Sequence, residues 1–334
     1  MRLESARALK AEILEQVTSA EASDLAAGGV WSMNARPTAD VDPVARTVAL
    51  GITRPTPGDY RLAIRVQRRG LENTQQVDAI RRKARGEVDF RYVGHVVKQA
   101  VPWEQTRKRP LLIGLSLGHY KITAGTLGAF VRLKKGGALR VLSNNHVLAD
   151  EDRGKKGDPI LQPGAYDGGK NPADRIGTLD TAVKLKKTGA NLVDCAMAAL
   201  DPKIKFNAAT LTGVGKLSSA AAPPPEELDL VEKIGRTTEH TRGRVTAFDL
   251  DNLVVGYDQG NLRFDGQIEI EGASTEAFSQ GGDSGSLIFT SLGREAAALL
   301  FAGGDQGGSN GKGLTFANPI SAVFGQLKVT LAVE

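Results

Sequence analysis

The sequence predicts a mainly β protein in which two strand-rich halves form a pair of barrels, preceded by a small α/β region. Glycine is abundant at 39 residues, whereas Phe and Trp number only 10 and 2, a composition typical of short strands joined by tight turns. From residue 111 onward, short apolar runs alternate with Gly, Asp and Lys. A Pro-rich linker, 218–229, divides these runs into two sets of similar length, which favours two barrels.

The first 108 residues have a different pattern. Residues 1–45 are expected to form a helix with an amphipathic pattern, followed by a loop. Residues 46–108 are expected to form a small basic α/β domain. This domain is predicted to contain strands over 47–52 and 60–66, a helix over 74–85 and a strand over 88–97.

The net charge of +5 lies in this N-terminal third. Residues 1–110 carry 19 Lys and Arg against 13 Asp and Glu, whereas the remainder carries 24 against 25. Two clusters supply most of the excess: Arg61, Arg65, Arg68, Arg69, and Arg81, Arg82, Lys83, Arg85. A solvated basic surface is the simpler interpretation, and docking of an acidic protein partner is the alternative. Nucleic acid is disfavoured because few aromatic side chains here could stack on bases.

The first barrel is predicted over 111–217 and the second over 230–334. The strands expected in the first barrel are 111–117, 128–133, 139–142, 176–183 and 193–200. Those expected in the second are 230–234, 243–248, 252–255, 266–270, 285–289, 296–301 and 314–320, with a helix over 321–327.

A serine in a glycine-rich turn is the first candidate for chemistry. Ser284 is flanked by Gly282 and Gly285, whose freedom at φ lets backbone N–H groups converge on one point. An apolar run follows at once and would anchor the turn as a strand. An exposed hydroxyl on such a turn suits a nucleophile. For this short motif alone, an ordinary tight turn that contains a serine is an equally good interpretation.

A serine hydroxyl needs a base, and the base needs a carboxylate to orient it. Of the four histidines, His146 stands just past the apolar run 139–142, where an imidazole would be presented at a strand end. Asp194 is a charge within an apolar run, and a buried carboxylate is costly unless it is paired. Each alone is more simply a core histidine or a strand-capping aspartate. The order His, Asp, Ser, with each residue in its own strand and turn context, is much harder to explain that way.

These motifs resemble the chymotrypsin-like serine proteases, in particular the bacterial branch that includes the streptogrisins and alpha-lytic protease. The three segments that carry the resemblance are Asn144-Asn145-His146-Val147, Val193-Asp194-Cys195-Ala196 and Gly282-Asp283-Ser284-Gly285. Further similar segments are 233–245, 299–304 and 314–319. The resemblance covers about 111–334 and implies a chymotrypsin-like double β-barrel.

The resemblance also implies roles for individual residues. Ser284 would be the nucleophile, His146 the general base and Asp194 the residue that orients it, with an oxyanion hole formed by the N–H groups of Gly282 and Ser284. The segment Ala302-Gly303-Gly304 would bind the substrate backbone. Phe278 would lie at the base of the specificity pocket, so a trypsin-like preference for Arg or Lys is not supported. The family also implies an ion pair for Asp283, whose partner the sequence does not identify.

The sequence thus predicts a bacterial serine endopeptidase that acts on protein or peptide substrates, without cofactor or metal, and is regulated by its N-terminal domain. A catalytically inactive protease-like binding module is the alternative. The single cysteine, Cys195, cannot form an internal disulfide, and no run approaches the ~18 apolar residues of a membrane span. A cytoplasmic location is therefore expected.

Overall fold

The computed structural model describes most of the chain and contains two extended β-sheets. The described residues are 1–27, 48–67, 75–93, 96–97, 106–122 and 124–333. In this part of the chain no helix has the length and apolarity required to span a bilayer.

The described part of the N-terminal region contains two helices and four strands. In chain order they are α1 (Leu3–Ala27), β1 (Val48–Thr56), β2 (Asp59–Val66), α2 (Gln75–Lys83), β3 (Val88–Tyr92) and β4 (Val96–Val97). Strands β1 and β2 form an antiparallel hairpin, and β3 pairs in parallel with β2 after α2. The predicted strand over 88–97 is therefore two strands, and the first strand continues past residue 52 to a turn at Pro57 and Gly58. The predicted loop and the basic residues Arg68 and Arg69 lie outside the described residues.

The next region forms the first barrel as a curled sheet. In chain order, this region contains β5 (Ser116–His119), β6 (Gly125–Thr126), β7 (Ala129–Leu133), β8 (Arg140–Ser143), α3 (Asn145–Leu148), β9 (Pro159–Leu161), β10 (Arg175–Ala182), β11 (Ala190–Asn191), β12 (Ala196–Leu200), β13 (Thr210–Leu211) and β14 (Gly215–Lys216). The strands among these that form the sheet of the first barrel are given below. The predicted strand over 111–117 begins only at Ser116, because the chain turns at Ile113 and Gly114. The predicted strand over 193–200 begins at Ala196, so Asp194 precedes it.

The C-terminal region forms the second barrel. This region contains β15 (Leu230–Gly235), β16 (Glu239–Asp251), β17 (Leu253–Tyr257), β18 (Gly260–Phe264), β19 (Gln267–Gly272), β20 (Leu287–Thr290), β21 (Ala296–Gly304), β22 (Leu314–Pro319) and α4 (Ile320–Leu327). Its last strand, β23 (Val329–Leu331), pairs with β7 of the first barrel.

The pairing of these strands closes one barrel and curls the other. Strands β15, β16, β19, β22, β21 and β20 form a closed ring in that order. The first barrel is an eight-stranded sheet in the order β23-β7-β8-β12-β10-β9-β5-β6. Val323 of α4 belongs to a core cluster that includes residues of both barrels, such as Phe130 and Leu299. The prediction of a mainly β, chymotrypsin-like two-barrel fold with an α/β region before it is confirmed.

The N-terminal sheet is hydrogen-bonded to the second barrel. Strand β1 pairs with β16 so that Leu50 lies opposite Asp251 and Ile52 opposite Phe248. Strand β4 lies between β17 and β21. Val93 is fully buried and packs in the same core cluster as Phe301. The sheet therefore crosses the predicted boundary between 46–108 and 230–334, and the domain division stays a prediction.

Arg65 corrects the interpretation of its basic cluster as a solvated surface. It is fully buried between the N-terminal sheet and the second barrel, with Nε 2.5 Å from Glu269 Oε2 and Nη2 2.7 Å from Asp89 Oδ2. Thr246 donates a hydrogen bond of 2.7 Å to the other oxygen of Glu269. A buried charge needs such partners. Arg65 thus joins the N-terminal sheet to the barrel.

Candidate active site

Ser284 lies in the turn that leads into β20, as its motif predicts. Two glycines of this turn have positive φ, +93° at Gly282 and +91° at Gly285. A Cβ atom at Gly282 would lie 2.1 Å from Nη1 of Arg236, and one at Gly285 would lie 2.0 Å from Oγ of Ser143. Both backbone angle and space therefore require glycine here.

Asp283 is buried in this turn and bonded on both carboxylate oxygens. Oδ1 accepts the N–H groups of Thr237 and Thr238 at 2.9 and 3.2 Å. Oδ2 accepts the Thr238 hydroxyl at 2.7 Å and the N–H of Gln280 at 3.0 Å. Lys233 Nζ lies 3.4 Å from Oδ2, and both side chains of this pair are fully buried. Lys233 is therefore the ion-pair partner that the sequence alone did not identify.

A second buried ion pair joins the turn to the first barrel. Arg236 lies behind Gly282, and its Nε is 2.7 Å from Asp167 Oδ2. Asp167 ends a short 3₁₀ helix of the first barrel, Ala165–Asp167. The hydroxyl of Thr126, also from the first barrel, donates 3.0 Å to the carbonyl oxygen of Gly282. The turn around Ser284 is therefore held from both barrels.

His146 and Asp194 form the other part of the site. His146 lies in α3, directly after β8, and its Nδ1 is 2.5 Å from Asp194 Oδ2. The N–H groups of Asn145 and His146 lie 2.6 and 3.3 Å from Oδ1. Asn144 donates 2.8 Å to the backbone carbonyl of Asp194, and Asn318 accepts its backbone N–H at 2.9 Å.

Neutral donors and His146 determine the charge state of Asp194. Burial by itself would raise the pKa of the carboxyl, but the charge of His146 and the hydrogen bonds from His146, Tyr257 and Asn145 outweigh it and lower the pKa. Asp194 is therefore ionised at neutral pH, which suits a residue that orients an imidazole.

Ser284 lies beside the helix that carries His146, but the two side chains are not hydrogen-bonded. The carbonyl of Ser284 accepts the N–H of Thr126 at 2.8 Å, and a Cβ on the adjacent Gly125 would touch both that carbonyl and Val147. Oγ of Ser284 and Nε2 of His146 are both buried, and within the described residues neither has a hydrogen-bond partner.

The predicted substrate-binding residues lie in two different settings. Ala302, Gly303 and Gly304 form the end of β21, with Gly303 and Gly304 paired with Val97 and Val96 of β4 in antiparallel register. Phe278 is buried in the core of the second barrel, where Nζ of Lys233 lies 5.8 Å from its ring centroid. Their assignment as substrate-binding residues stays a prediction.

The described residues contain no group of three or more His, Cys, Asp or Glu side chains arranged to hold a metal ion. The acid–base groups of the site form one His–Asp pair, and Cys195 is buried beside it. Burial and the charge of Asp194 raise the pKa of Cys195 well above its usual value, so this thiol is not a competing nucleophile.

Sequence reasoning missed two residues of the site, Lys233 and Tyr257. A signal existed for Lys233, because it is a charge within the apolar run 230–234. Tyr257 gave no such signal, because a tyrosine at the end of an apolar strand is ordinary.

Comparison with family models finds no match, and neither does comparison with curated proteins. Comparison with solved structures finds protease A of Thermobifida fusca, which is 17% identical, with 67% of this chain and 99% of that chain covered and a TM-score of 0.45. A chymotrypsin of Cellulomonas bogoriensis is 19% identical, with 67% and 99% covered and a TM-score of 0.44. A glutamic acid-specific serine protease is 21% identical, with 66% and 100% covered and a TM-score of 0.46. Bacterial serine proteases are thus among the solved structures to which this chain is similar, and the likeness is one of fold.

Proposed function

We propose that the chain is a serine endopeptidase in which Ser284, His146 and Asp194 act as a catalytic triad. The observation that carries this proposal is the 2.5 Å contact between Nδ1 of His146 and the buried carboxylate of Asp194. It holds the imidazole with its proton on Nδ1, so that Nε2 can accept one. The adjacent turn presents a serine hydroxyl that has no hydrogen-bond partner among the described residues.

The proposed reaction proceeds through an acyl-enzyme. Oγ of Ser284 attacks the scissile carbonyl carbon while Nε2 of His146 takes the hydroxyl proton. The negative charge on the carbonyl oxygen is stabilised by the N–H groups of Gly282 and Ser284, at about 3 kcal/mol for each donor. The C–N bond then breaks as His146 returns the proton to the leaving amine. Water attacks the ester in the same way and releases Ser284.

Reaction with a fluorophosphonate tests the nucleophile directly. The reagent forms an Oγ–P bond with Ser284 and loses fluoride, so mass spectrometry identifies the modified residue. We expect labelling of the wild type, no labelling of Ser284→Ala, and normal labelling of the control Ser291→Ala, which changes a serine at the end of β20. The same variants are assayed on fluorescein-labelled casein. If the folded wild type and the variant Val97→Pro described below both stay unlabelled, the inactive binding module is supported instead.

We further propose that the N-terminal region restrains this activity. Strand β4 occupies the edge of β21 at Gly303 and Gly304, where an extended substrate would otherwise add as a strand. Its other edge pairs with Gly256 of β17. Ser284 is only 2% exposed, which agrees with a covered site. A substrate would therefore compete with β4 for the same backbone groups.

Val97→Pro in the full-length chain tests the restraint. Proline has no backbone N–H and is unfavourable within a paired strand, so β4 would leave the edge of β21 more often. We expect faster fluorophosphonate labelling and casein cleavage than in wild type. Val97→Ala keeps the backbone N–H and serves as the control. Equal labelling rates in all three proteins would contradict the restraint.

The cytoplasmic location and the acidic partner belong to the same proposal. A single buried cysteine suits a reducing compartment, and cell fractionation tests this. Arg82 and Arg85 of the second basic cluster are exposed and could dock an acidic protein. If so, binding of a polyglutamate probe weakens in Arg82→Ser/Arg85→Ser and with added salt, and salt-independent binding would count against the partner.

A further inference from the structure

Tyr257 belongs to none of the recognised motifs, yet its hydroxyl reaches the candidate acid–base pair. It donates a hydrogen bond of 2.6 Å to Asp194 Oδ2, the same oxygen that contacts Nδ1 of His146. The other oxygen accepts the N–H groups of Asn145 and His146. Of the four donors to this carboxylate in the described part of the chain, only Tyr257 comes from the second barrel.

The ring of Tyr257 is held in place by aromatic contacts. It stacks on Phe264, with ring centroids 5.9 Å apart and an interplanar angle of 22°. Phe264 in turn lies 4.7 Å from Phe301. On the side of the triad, the ring meets His146 in an edge arrangement, with centroids 6.0 Å apart and an angle of 78°. The hydroxyl therefore has little freedom to leave Asp194.

The hairpin that carries Tyr257 is also attached to the first barrel. Tyr257 ends β17 and lies opposite Gly260 of β18. In the turn between them, the N–H groups of Asp258 and Gln259 lie 3.3 Å from the carboxylate oxygens of the buried Glu151. Glu151 follows the helix of His146 by only three residues. The hairpin that carries Tyr257 is thus held by the same segment of the chain that carries His146.

We infer that Tyr257 is a positioning residue for the His146–Asp194 pair, an inference that rests on the proposed protease function. Its hydroxyl keeps the carboxylate in the rotamer in which Oδ2 faces Nδ1–H. This keeps the imidazole proton on Nδ1 and leaves Nε2 to accept the proton of Ser284. The hydroxyl of Tyr257 acts through Asp194, and the edge contact between its ring and His146 is kept in Tyr257→Phe.

The protonation state of Tyr257 agrees with this role. Burial and the negative charge of Asp194 raise the pKa of its hydroxyl well above the usual value. The group therefore remains a donor at every pH at which a triad would operate.

Tyr257→Phe removes the hydroxyl and keeps the ring. We expect kcat on casein and the rate of fluorophosphonate labelling to fall about tenfold, with KM unchanged, because one of four hydrogen bonds to the orienting carboxylate is lost. Tyr60→Phe is the matched control, because it also removes a hydroxyl and keeps a ring. Tyr60 lies in the N-terminal sheet, where its ring packs edge-on against Phe248 of β16. We expect wild-type rates and KM from it.

A second measurement is independent of activity. In protein labelled with ¹⁵N-histidine, the Nδ1–H proton of His146 should resonate far downfield, because its hydrogen bond to Asp194 is short. Tyr257→Phe should shift and broaden this signal, and Tyr60→Phe should leave it in place.

The outcomes separate the two proposals. If neither wild type nor Val97→Pro is labelled by fluorophosphonate, the protease function fails, while a shifted Nδ1–H signal in Tyr257→Phe still supports the positioning role. An unmoved signal together with wild-type labelling overturns the inference. Slower labelling with an unmoved signal and a lower Tm also overturns it, because the tyrosine would then act on stability alone.

Discussion

The two barrels hold their parts of the candidate site by different interactions. In the first barrel, the charge of Asp194 is balanced by His146, backbone N–H groups and a tyrosine hydroxyl. In the second, the turn around Ser284 is held by Lys233 against Asp283, with Arg236 behind it. Neutral donors adapt to a change of charge, whereas removing one partner of a buried ion pair leaves the other charge without compensation. Mutation around Asp194 should therefore leave the fold intact and reduce catalytic activity. Mutation of the ion pair that holds the turn around Ser284 should reduce stability.

The largest effect is expected from Asp194→Asn. The amide keeps an oxygen for the N–H groups of Asn145 and His146 but presents an NH₂ group to Nδ1, which favours the wrong tautomer. We expect kcat to fall by about 10⁴, with Tm within a few degrees of wild type. Casein cleavage and calorimetry measure the two quantities. A collapse of Tm instead would break the comparison, because the first barrel would then depend on this charge for its fold.

Lys233→Met should have the next largest effect, on stability. It leaves Asp283 buried without its cation, and we expect the free energy of unfolding to fall by about 3–5 kcal/mol. Urea denaturation gives the value, and the exposed Lys203→Met is the control.

The double variant Lys233→Met/Asp283→Asn sharpens this prediction. Replacing both charges should recover most of the lost stability, because no uncompensated charge remains. No recovery would mean that Lys233 acts through its contact with the Phe278 ring rather than through its pairing with Asp283.

Arg65→Met extends the comparison to the N-terminal sheet. It leaves Glu269 buried with Thr246 as a remaining partner, and we expect a loss of about 3 kcal/mol in the free energy of unfolding. The control Arg61→Met removes an exposed pair with Asp59, which is worth less than about 1 kcal/mol. Equal losses in the two variants would mean that the buried pair does not hold the sheet to the barrel.

The smallest effect concerns pH. Burial alone would raise the pKa of Asp89, but the charges of Arg65 and Arg91 outweigh it and lower the pKa. A carboxylate with a lowered pKa in the folded state stabilises above its unfolded pKa, and this contribution is lost as the pH falls through the folded pKa. We therefore expect Asp89→Asn to be less stable than wild type by about 1 kcal/mol at pH 7, and the difference to shrink at an acid pH below the folded pKa. Urea denaturation at both pH values measures this, and a difference that persists at low pH would contradict it.

Much of the fold could be predicted from short-range patterns. The apolar runs 230–234 and 296–301 became strands of the closed barrel, and the helix expected over 321–327 is α4. Predictions failed where a run continued past a turn signal, as at β1, or where a loop residue broke it, as before β12. Alternation of apolar residues indicates which face is buried, but it does not show where a hydrogen-bonded ladder begins.

The sequence by itself determined the turn around Ser284 and the strand context of His146, because glycine conformation and strand periodicity depend on neighbouring residues. Only the tertiary structure decided which distant groups meet them. Tyr257 reaches Asp194 across 63 residues, and Arg65 reaches Glu269 across 204. The reason is physical: a buried charge requires a partner, but the free-energy cost of leaving it unpaired is the same whichever part of the chain supplies that partner. That choice is made only when the barrels and the N-terminal sheet pack together.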